Sequence, residues 1–263
     1  MGDSQLLDKE KQQVTEVFED CADHYATERE RTPYFRAQLA IVHSMLAGQR
    51  GRILDIGCAA GGDIPGYRAR QFSVVGIDLA PRMLEFARQR FADHPEVHFC
   101  RADVEHLPFA NQSMDHVVCL GVFEFLHEYN LALAEIHRVL RPGGLAIFAI
   151  PSAISLYNVT FVLTGATIRP LWRGLKRLIG RPVAAASAKS AVHRNLCVPW
   201  KYRALLRQYG FVPLRQRYSN LFVYPLDRFP KLDQRVVAAL EPLCSVPLLR
   251  CAGSVYMVSA KKK

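Results

Sequence analysis

Two acidic residues stand at the ends of short apolar segments and next to small residues. Asp55 lies within Arg52–Ile56, and a turn of small residues from Gly57 to Gly61 follows it. Asp78 ends the next apolar segment, 21 residues after Gly57. A small-residue turn between a strand and a helix lets a ligand approach bare backbone, and a carboxylate at the end of the second strand accepts hydrogen bonds from ribose hydroxyls. This spacing predicts a site for an adenosine-containing ligand.

The order of the acid and the glycines resembles the class I S-adenosylmethionine-dependent methyltransferases, whose signature is acid-x-Gly-x-Gly-x-Gly. The chain matches at Asp55, Gly57 and Gly61, and it has Ala59 where the family has its middle glycine. The resemblance runs to about residue 150. Within the family, the chain is similar to the ubiquinone and menaquinone methyltransferases. It implies an enzyme whose cofactor is S-adenosylmethionine and whose product is S-adenosylhomocysteine.

Two other interpretations of this stretch are possible in principle, and each fits the residues less well. A nicotinamide or flavin dinucleotide site usually has Gly-x-Gly-x-x-Gly after an uninterrupted apolar strand. Here Asp55 interrupts the strand and would repel a pyrophosphate, whereas it suits the zwitterionic methionine part of S-adenosylmethionine. An ordinary strand, turn and helix without a ligand leaves both Asp55 and Asp78 unexplained.

The resemblance implies contacts along the whole cofactor. Asp103, after the third predicted strand, would accept the exocyclic amine of adenine; a helix N-cap is its structural alternative. Leu120 and Gly121 would offer backbone to the methionine end. The predicted cofactor-binding residues are Asp55, Gly57, Cys58, Ala59, Gly61, Asp78, Leu79, Met83, Asp103, Val104, Leu120, Gly121 and Tyr25.

The sequence does not single out a catalytic base. Relatives often carry Glu-His where this chain has Glu124-Phe125, and His127 lies two residues further on. Tyr25 in the N-terminal section and His193 before a predicted helix are the other candidates, and each also fits a structural role. A base is needed only if the methyl acceptor must lose a proton. The cysteines are scattered singly, so no metal site is predicted.

Apolar strands alternate with amphipathic helices, which predicts an α/β fold. We expect a Rossmann-like, doubly wound, seven-stranded sheet that is mostly parallel and carries an antiparallel C-terminal hairpin at its edge. The predicted single domain, residues 1–263, divides into an N-terminal helical cap (1–48), a cofactor-binding core (49–150), a basic, helical, substrate-covering insertion after strand 5 (151–198) and a C-terminal helix with strands (199–263).

The net charge of +10 is unevenly distributed. Residues 136–226 contain 14 Lys and Arg and no Asp or Glu, whereas residues 1–135 contain 13 basic and 21 acidic residues. An amphipathic basic helix is predicted within 169–181, with Trp172 on its apolar face. Such a helix can contact an anionic membrane or an acidic carrier protein, although packing on the core is the commoner role.

These observations predict transfer of a methyl group to a small-molecule or lipid-like acceptor, either anionic or carrier-bound. RNA methylation by the basic 136–226 face is one alternative, but Gly121–Glu124 replaces the Asn/Asp-Pro-Pro-aromatic motif of many nucleic-acid enzymes. A non-catalytic, cofactor-binding scaffold is the other. The polar segment 1–13 does not resemble a signal peptide, and no transmembrane helix is expected, so a cytoplasmic protein, at most peripheral at a membrane, is predicted.

Overall fold

The computed structural model describes residues 3–158, 195–219 and 253–263. Its sheet has seven strands in the order β3-β2-β1-β4-β5-β7-β6. The strands are β1 Arg52–Ile56, β2 Ser73–Asp78, β3 Val97–Arg101, β4 Met114–Leu120, β5 Leu140–Pro151, β6 Phe211–Ser219 and β7 Val255–Lys262. The helices in the described part are α1 Asp3–Arg31, α2 Pro33–Met45, α3 Ile64–Arg68, α4 Pro81–Arg90, α5 Asn130–Val139 and α6 Pro199–Gln208, with a 3-10 turn at Phe123–Phe125.

The first five strands are parallel, and β7 pairs antiparallel with both β5 and β6. The predicted mostly parallel sheet with an antiparallel C-terminal edge is therefore confirmed. The chain moves outward from β1 to β3 and then returns to place β4 on the other side of β1. In a doubly wound sheet, ligands bind at the carboxyl ends of the strands beside this change of direction. Asp55 lies there, paired across the sheet with Gly76 and Val118.

Apolar side chains cover both faces of the sheet, as expected for parallel strands buried on each side. One core lies between the sheet and α5 and α6, and it contains the aromatic group Phe123, Phe148, Tyr202 and Phe211. The other lies between the sheet and α2 and α3, around Tyr67. The strands are thus held rigidly, and their carboxyl ends offer a fixed platform for a site.

Helix α1 ends at Arg31 and α2 begins at Pro33. Thr32 caps α2 through its side-chain oxygen, which accepts the Phe35 N–H at 3.3 Å. The polar helix α1 is attached to α4 through charged groups. Arg82 donates to Asp23 at 2.7 Å, and Arg90 pairs with Glu30. This helix therefore lies over the carboxyl edge of the sheet without contributing to either large core.

Two features that the sequence suggests differ from the structure or lie outside it. Residues 141–144, whose proline and two glycines are typical of a turn, lie inside the bounds of β5, because Leu140 already pairs with Met114 and the register shifts before Leu145 pairs with His116. Gly143 has a φ of +78° and makes this bulge possible. The basic helix predicted within 169–181 lies outside the described residues. None of the described helices combines the length and the apolar character that crossing a membrane requires.

Candidate functional site

A cavity lies at the carboxyl ends of β1, β2 and β4, with α1 across it. Its volume is about 810 Å³, counting the space that opens to solvent. Its walls come from α1, the turn after β1, the ends of β2 and β4, and the loops that follow β3 and β4. The lining residues are Lys11, Val14, Thr15, Phe18, Tyr25, Arg29, Ile56, Gly57, Ala59, Ile77, Asp78, Leu79, Ala80, Ala102, Asp103, Val104, Leu120, Gly121, Val122, Phe125 and Leu126.

The turn after β1 exposes backbone to this cavity. Gly57 and Gly61 have φ values of +72° and +78°, which are left-handed conformations that glycine adopts without strain. The N–H groups of Gly57 and Cys58 donate to the Ile77 carbonyl at 2.8 and 3.0 Å, so β2 fixes the turn. A Cβ atom on Gly57 would collide with the Val122 side chain. The sequence of small residues therefore follows from the backbone geometry and from the closeness of the next loop.

Asp78 is held by two backbone groups. Its Oδ2 accepts the Ala59 N–H at 2.9 Å, and its Oδ1 accepts the Ala80 N–H at 2.9 Å. Burial raises the pKa of Asp78, and the hydrogen bonds from Ala80 and Ala59 act against that rise. Because each carboxylate oxygen has a second lone pair, this fixed side chain can still accept two donors from a ligand in the cavity.

Two further aspartates lie behind the cavity wall. Asp55 and Asp63 are 1% and 7% exposed, and Asp55 Oδ2 and Asp63 Oδ1 are buried without a hydrogen-bond partner among the residues that the structure describes. Burial raises the pKa of Asp55 well above its usual value, and the Asp63 charge adds to the rise. Burial also raises the pKa of Asp63, against the effect of the Arg29 guanidinium. An unpaired buried carboxylate is unfavourable, so these oxygens indicate a place for a positively charged or hydrogen-bond-donating group.

The guanidinium of Arg29 is the positive group at this end of the cavity. It donates to the Tyr25 hydroxyl at 2.9 Å. Burial opposes the charge of Arg29, but its interactions with Tyr25 and Asp63 outweigh that effect and raise its pKa. Burial raises the pKa of Tyr25 as well. A hydroxyl that is buried and already engaged by Arg29 is a poor proton acceptor at neutral pH.

The loop after β3 forms the opposite end of the cavity. Asp103 Oδ1 accepts the Glu105 N–H at 3.0 Å, and its Oδ2 accepts from Lys11 Nζ at 2.6 Å. The helix N-cap considered for Asp103 does not form, because the chain turns back into a bridge between Asp103 and His106 and no helix follows. The side chain instead ties its own loop to α1.

Most of the predicted cofactor residues border one cavity. These are Gly57, Ala59, Asp78, Leu79, Asp103, Val104, Leu120, Gly121 and Tyr25. Four others lie behind the lining: Asp55, Cys58, Gly61 and Met83. The buried Met83 packs under Ala59 and Ala80, so its contact is with the turn.

The candidate bases are placed differently. Neither His127 nor Glu124 borders the cavity. The side chain of His127 is 53% exposed, and its Nδ1 lies 3.8 Å from Glu10. It points to the surface because the loop after β4 turns into the 3-10 segment before reaching it. Tyr25 borders the cavity, and His193 is outside the described residues.

Apart from Tyr25, the sequence interpretation missed the residues that α1 contributes. Lys11, Val14, Thr15, Phe18 and Arg29 all border the cavity. The last four follow Lys11 by three, four, seven and eighteen residues, which places all five on one helical face, and this was the available signal. Asp63 was also missed, since it follows the glycine turn without a recognisable motif. Among the residues that the structure describes, no group of three His, Cys, Asp or Glu side chains is arranged to hold a metal ion.

Comparison with known proteins agrees with this geometry. Residues 54–148 match a family described as "Methyltransferase domain". A malonyl-[acyl-carrier protein] O-methyltransferase from Enterobacter lignolyticus is 31% identical over 63% of this chain and 61% of its own length. A demethylmenaquinone methyltransferase from Deinococcus radiodurans is 35% identical over 45% of this chain and 51% of its own length. The chain therefore spans only about half of the length of these curated relatives.

Solved structures support the fold. A methyltransferase from Thermotoga maritima superposes with a TM-score of 0.60, at 17% identity, over 94% of this chain and 99% of its own. Residues 54–148 are thus a domain of the matched methyltransferase family, and these relatives and the site geometry support a class I S-adenosylmethionine-dependent methyltransferase. The predicted family, and S-adenosylmethionine as its cofactor, are confirmed at this level.

Proposed function

We propose that this protein transfers the methyl group of S-adenosylmethionine to a carboxylate acceptor that is presented on an acidic carrier protein. The single observation that carries the choice of acceptor is the composition of the cavity. Its ionisable lining residues are Lys11, Tyr25, Arg29, Asp78 and Asp103, and none of the described lining residues is a histidine.

The residues present fit the cofactor along its whole length. Asp78 would accept the ribose hydroxyls, and Asp103 would accept the adenine amine. At the other end, Arg29 would bind the methionine carboxylate, while Asp55 and Asp63 would compensate the positive charges of the ligand. When bound, S-adenosylmethionine supplies an already activated methyl group. The chain itself orients the ligand and excludes water, which is the main requirement of this chemistry.

A carboxylate acceptor fits a site without a base. A carboxylic acid is ionised at neutral pH, so the attacking oxygen has no proton to lose. A phenol or an alcohol would need a group that takes its proton. Tyr25 is poorly suited to this, because burial raises its pKa and it accepts a hydrogen bond from Arg29. The side chain of His127 lies at the surface and does not border the cavity.

The carrier is proposed from the charge and exposure of residues 195–219. This segment has five basic residues and no acidic one, and Lys201 and Arg207 of α6 are exposed. Leu196 and Trp200 are 50% and 55% exposed in the same segment. The segment adjoins the cavity, since Asn195 donates to the carbonyl of Leu126, which lines it. The part of this segment next to the cavity is its beginning, with Leu196, Trp200 and Lys201, and this basic and apolar surface suits an acidic protein that delivers a tethered acid.

The test is a methyl-transfer assay that compares four acceptors at equal concentration. These are a malonyl thioester on acyl carrier protein, malonyl coenzyme A, a demethylmenaquinol and bulk transfer RNA. Release of S-adenosylhomocysteine is measured by mass spectrometry. We expect the carrier-bound thioester to give the highest kcat/KM. We expect Lys201→Glu to raise its KM, and Arg207→Glu at the far end of α6 to raise it less, without changing turnover of the coenzyme A thioester. Glu128→Lys, an exposed exchange on the loop before α5, is the control for altered surface charge.

The other outcomes separate the alternatives. Equal turnover of the two thioesters, unaffected by the α6 exchanges, would contradict the carrier surface but retain the carboxylate acceptor. Turnover of the quinol alone would contradict both. Methylation of RNA would support the alternative derived from the basic 136–226 face. Cofactor binding without turnover of any acceptor would favour the scaffold interpretation.

A further inference from the structure

A lysine of α1 spans the gap to the loop that follows β3. Lys11 Nζ lies 2.6 Å from Asp103 Oδ2 and also pairs with the Glu105 carboxylate. The three side chains are 28%, 20% and 13% exposed. Lys11 and Asp103 both border the cavity, 92 residues apart in the chain. The pair is therefore part of the cavity wall and joins its adenine end to the covering helix.

The hydrogen bonds around Asp103 leave a defined acceptor position. Its Oδ1 accepts the Glu105 N–H and its Oδ2 accepts from Lys11. An ionised carboxylate has about four lone-pair positions, so two of them stay available once these bonds are made. Since one oxygen is held by the loop that follows β3 and the other by α1, the plane of the carboxylate is fixed, and so is the direction in which it can accept a further donor.

Lys11 also separates two like charges. Without it, the carboxylates of Asp103 and Glu105 would lie next to each other on a partly buried loop, where their repulsion is poorly screened. Burial disfavours the charge of Lys11, but its hydrogen bonds to Asp103 and Glu105 outweigh this and raise its pKa. The ammonium group is thus present at any pH where the protein works, and its removal would free Asp103 to rotate.

Attachment of α1 alone does not require this contact. Two other ion pairs, Arg82 with Asp23 and Arg90 with Glu30, already join α1 to α4. Both of these lie outside the cavity lining. Lys11 differs from them because its partner is the residue to which we assign the adenine amine. The position of Lys11 therefore suits a role in recognition.

We propose that Lys11 is a positioning residue that orients the Asp103 carboxylate toward the exocyclic amine of adenine and so gives the site its preference for a 6-amino purine. This inference rests on the proposed binding of S-adenosylmethionine with its adenine next to Asp103. The chemical class selected is a purine that donates at position 6. A purine with an oxygen there has an acceptor facing the carboxylate and is rejected.

The experiment compares two product analogues by isothermal titration calorimetry. One is S-adenosylhomocysteine, and the other is S-inosylhomocysteine, in which oxygen replaces the amine. The proteins are the full chain, Lys11→Met, Lys11→Arg, Arg82→Met and Lys9→Met. Arg82→Met removes a contact between α4 and α1 that lies away from the loop after β3. Lys9→Met removes an exposed lysine two residues before Lys11, on a different side of α1.

We expect the unaltered protein to prefer the adenosyl ligand by about a hundredfold, which corresponds to about 2.7 kcal/mol. Lys11→Met should reduce this preference about tenfold, chiefly by weakening the adenosyl ligand, and Lys11→Arg should restore most of it. Arg82→Met should weaken both ligands by the same factor, and Lys9→Met should change neither.

An unchanged preference in Lys11→Met, with both ligands weakened equally, would overturn the proposal, because Lys11 would then act only by holding α1. The proposed function fails in a different way. If the unaltered protein binds neither ligand, the cofactor assignment itself is wrong.

Discussion

Two aspartates on adjacent strands, at opposite ends of the sheet, show how differently its two edges are built. Asp115 lies at the amino end of β4, where its Oδ2 accepts the Arg52 N–H at 2.8 Å and its Oδ1 pairs with Arg141. Asp55 lies near the carboxyl end of β1, fully buried, with Oδ2 unpartnered. At the amino edge the Asp115 carboxylate is paired with groups of the protein itself. At the carboxyl edge the Asp55 carboxyl group has an oxygen that can interact with a ligand.

The difference has an energetic meaning. Burial of a carboxylate without a partner destabilises a fold, typically by about 1–3 kcal/mol for the missing hydrogen bond alone. Three acids, Asp55, Asp63 and Asp78, all have pKa values raised by burial in this small volume. Their arrangement opposes folding of the free protein and favours a cationic ligand. The buried acids at the carboxyl edge therefore lower the stability of the free protein and raise its affinity for a cationic ligand, as is usual at functional sites.

The largest expected effect follows from removal of Asp78. Asp78→Ala deletes the acceptor for two ribose hydroxyls and frees the Ala59 and Ala80 N–H groups that now hold it. Two hydrogen bonds to a charged group are worth about 3 kcal/mol or more, so affinity for S-adenosylhomocysteine should fall at least about a hundredfold. Calorimetric titration measures this, with the exposed exchange Asp93→Ala as control. A loss below fivefold would place the ribose elsewhere.

The next effect tests the comparison of the two edges directly. Asp55→Asn should raise the stability of the free protein at neutral pH and lower cofactor affinity about tenfold, because it removes an unpartnered charge that the ligand needs. Asp115→Asn should do the reverse, lowering stability by about 1–2 kcal/mol and leaving affinity unchanged. Urea unfolding and calorimetry measure the two quantities. If both variants lose stability equally, the proposed contrast between the edges is wrong.

The same acids should make cofactor binding dependent on pH. Burial raises the pKa of Asp55 and Asp63 in the free protein, and a bound cation would favour their charged forms and lower these pKa values. Binding therefore releases protons, and affinity rises with pH until the free protein is itself deprotonated. Stability of the free protein changes in the opposite sense and falls as pH rises through the raised pKa values. Calorimetry between about pH 5 and pH 8, in buffers of different ionisation enthalpy, measures the release. Asp55→Asn should show less of it; equal release would assign the protons to other groups.

The fold could be predicted from the sequence because its signals are local. Each strand is a short apolar run bounded by turn residues, and the glycines at 57 and 61 mark left-handed positions that the structure contains. The cofactor side of the site could be predicted for the same reason, since Asp55 and Asp78 follow from strand ends. The extent of β5 could not, because the bulge that includes Gly143 depends on pairing with β4.

The α1 side of the site lacked such a signal. Lys11 and Arg29 are charged residues on a polar helix, and sequence alone gives such residues a solvated role. Their partners lie far along the chain: Asp103 for Lys11, and the acids after β1 for Arg29. Only the packing of α1 across the carboxyl edge brings these groups together. Contacts between distant segments are what local patterns do not contain.

The smallest expected effect concerns Ala59, which replaces the family's middle glycine. Ala59 has a φ of +46°, a left-handed conformation that costs a residue with a Cβ about 1–2 kcal/mol. Ala59→Gly should remove this strain. The greater conformational freedom of glycine favours the unfolded chain and offsets about 0.4–1 kcal/mol of the gain. The net expectation is a gain of about 0.5 kcal/mol in the free energy of urea unfolding. Ala69→Gly is the matched control, since Ala69 has an ordinary φ of −57° and glycine there should destabilise. If both exchanges destabilise alike, Ala59 is not strained, and the cost of the site lies entirely in its buried acids.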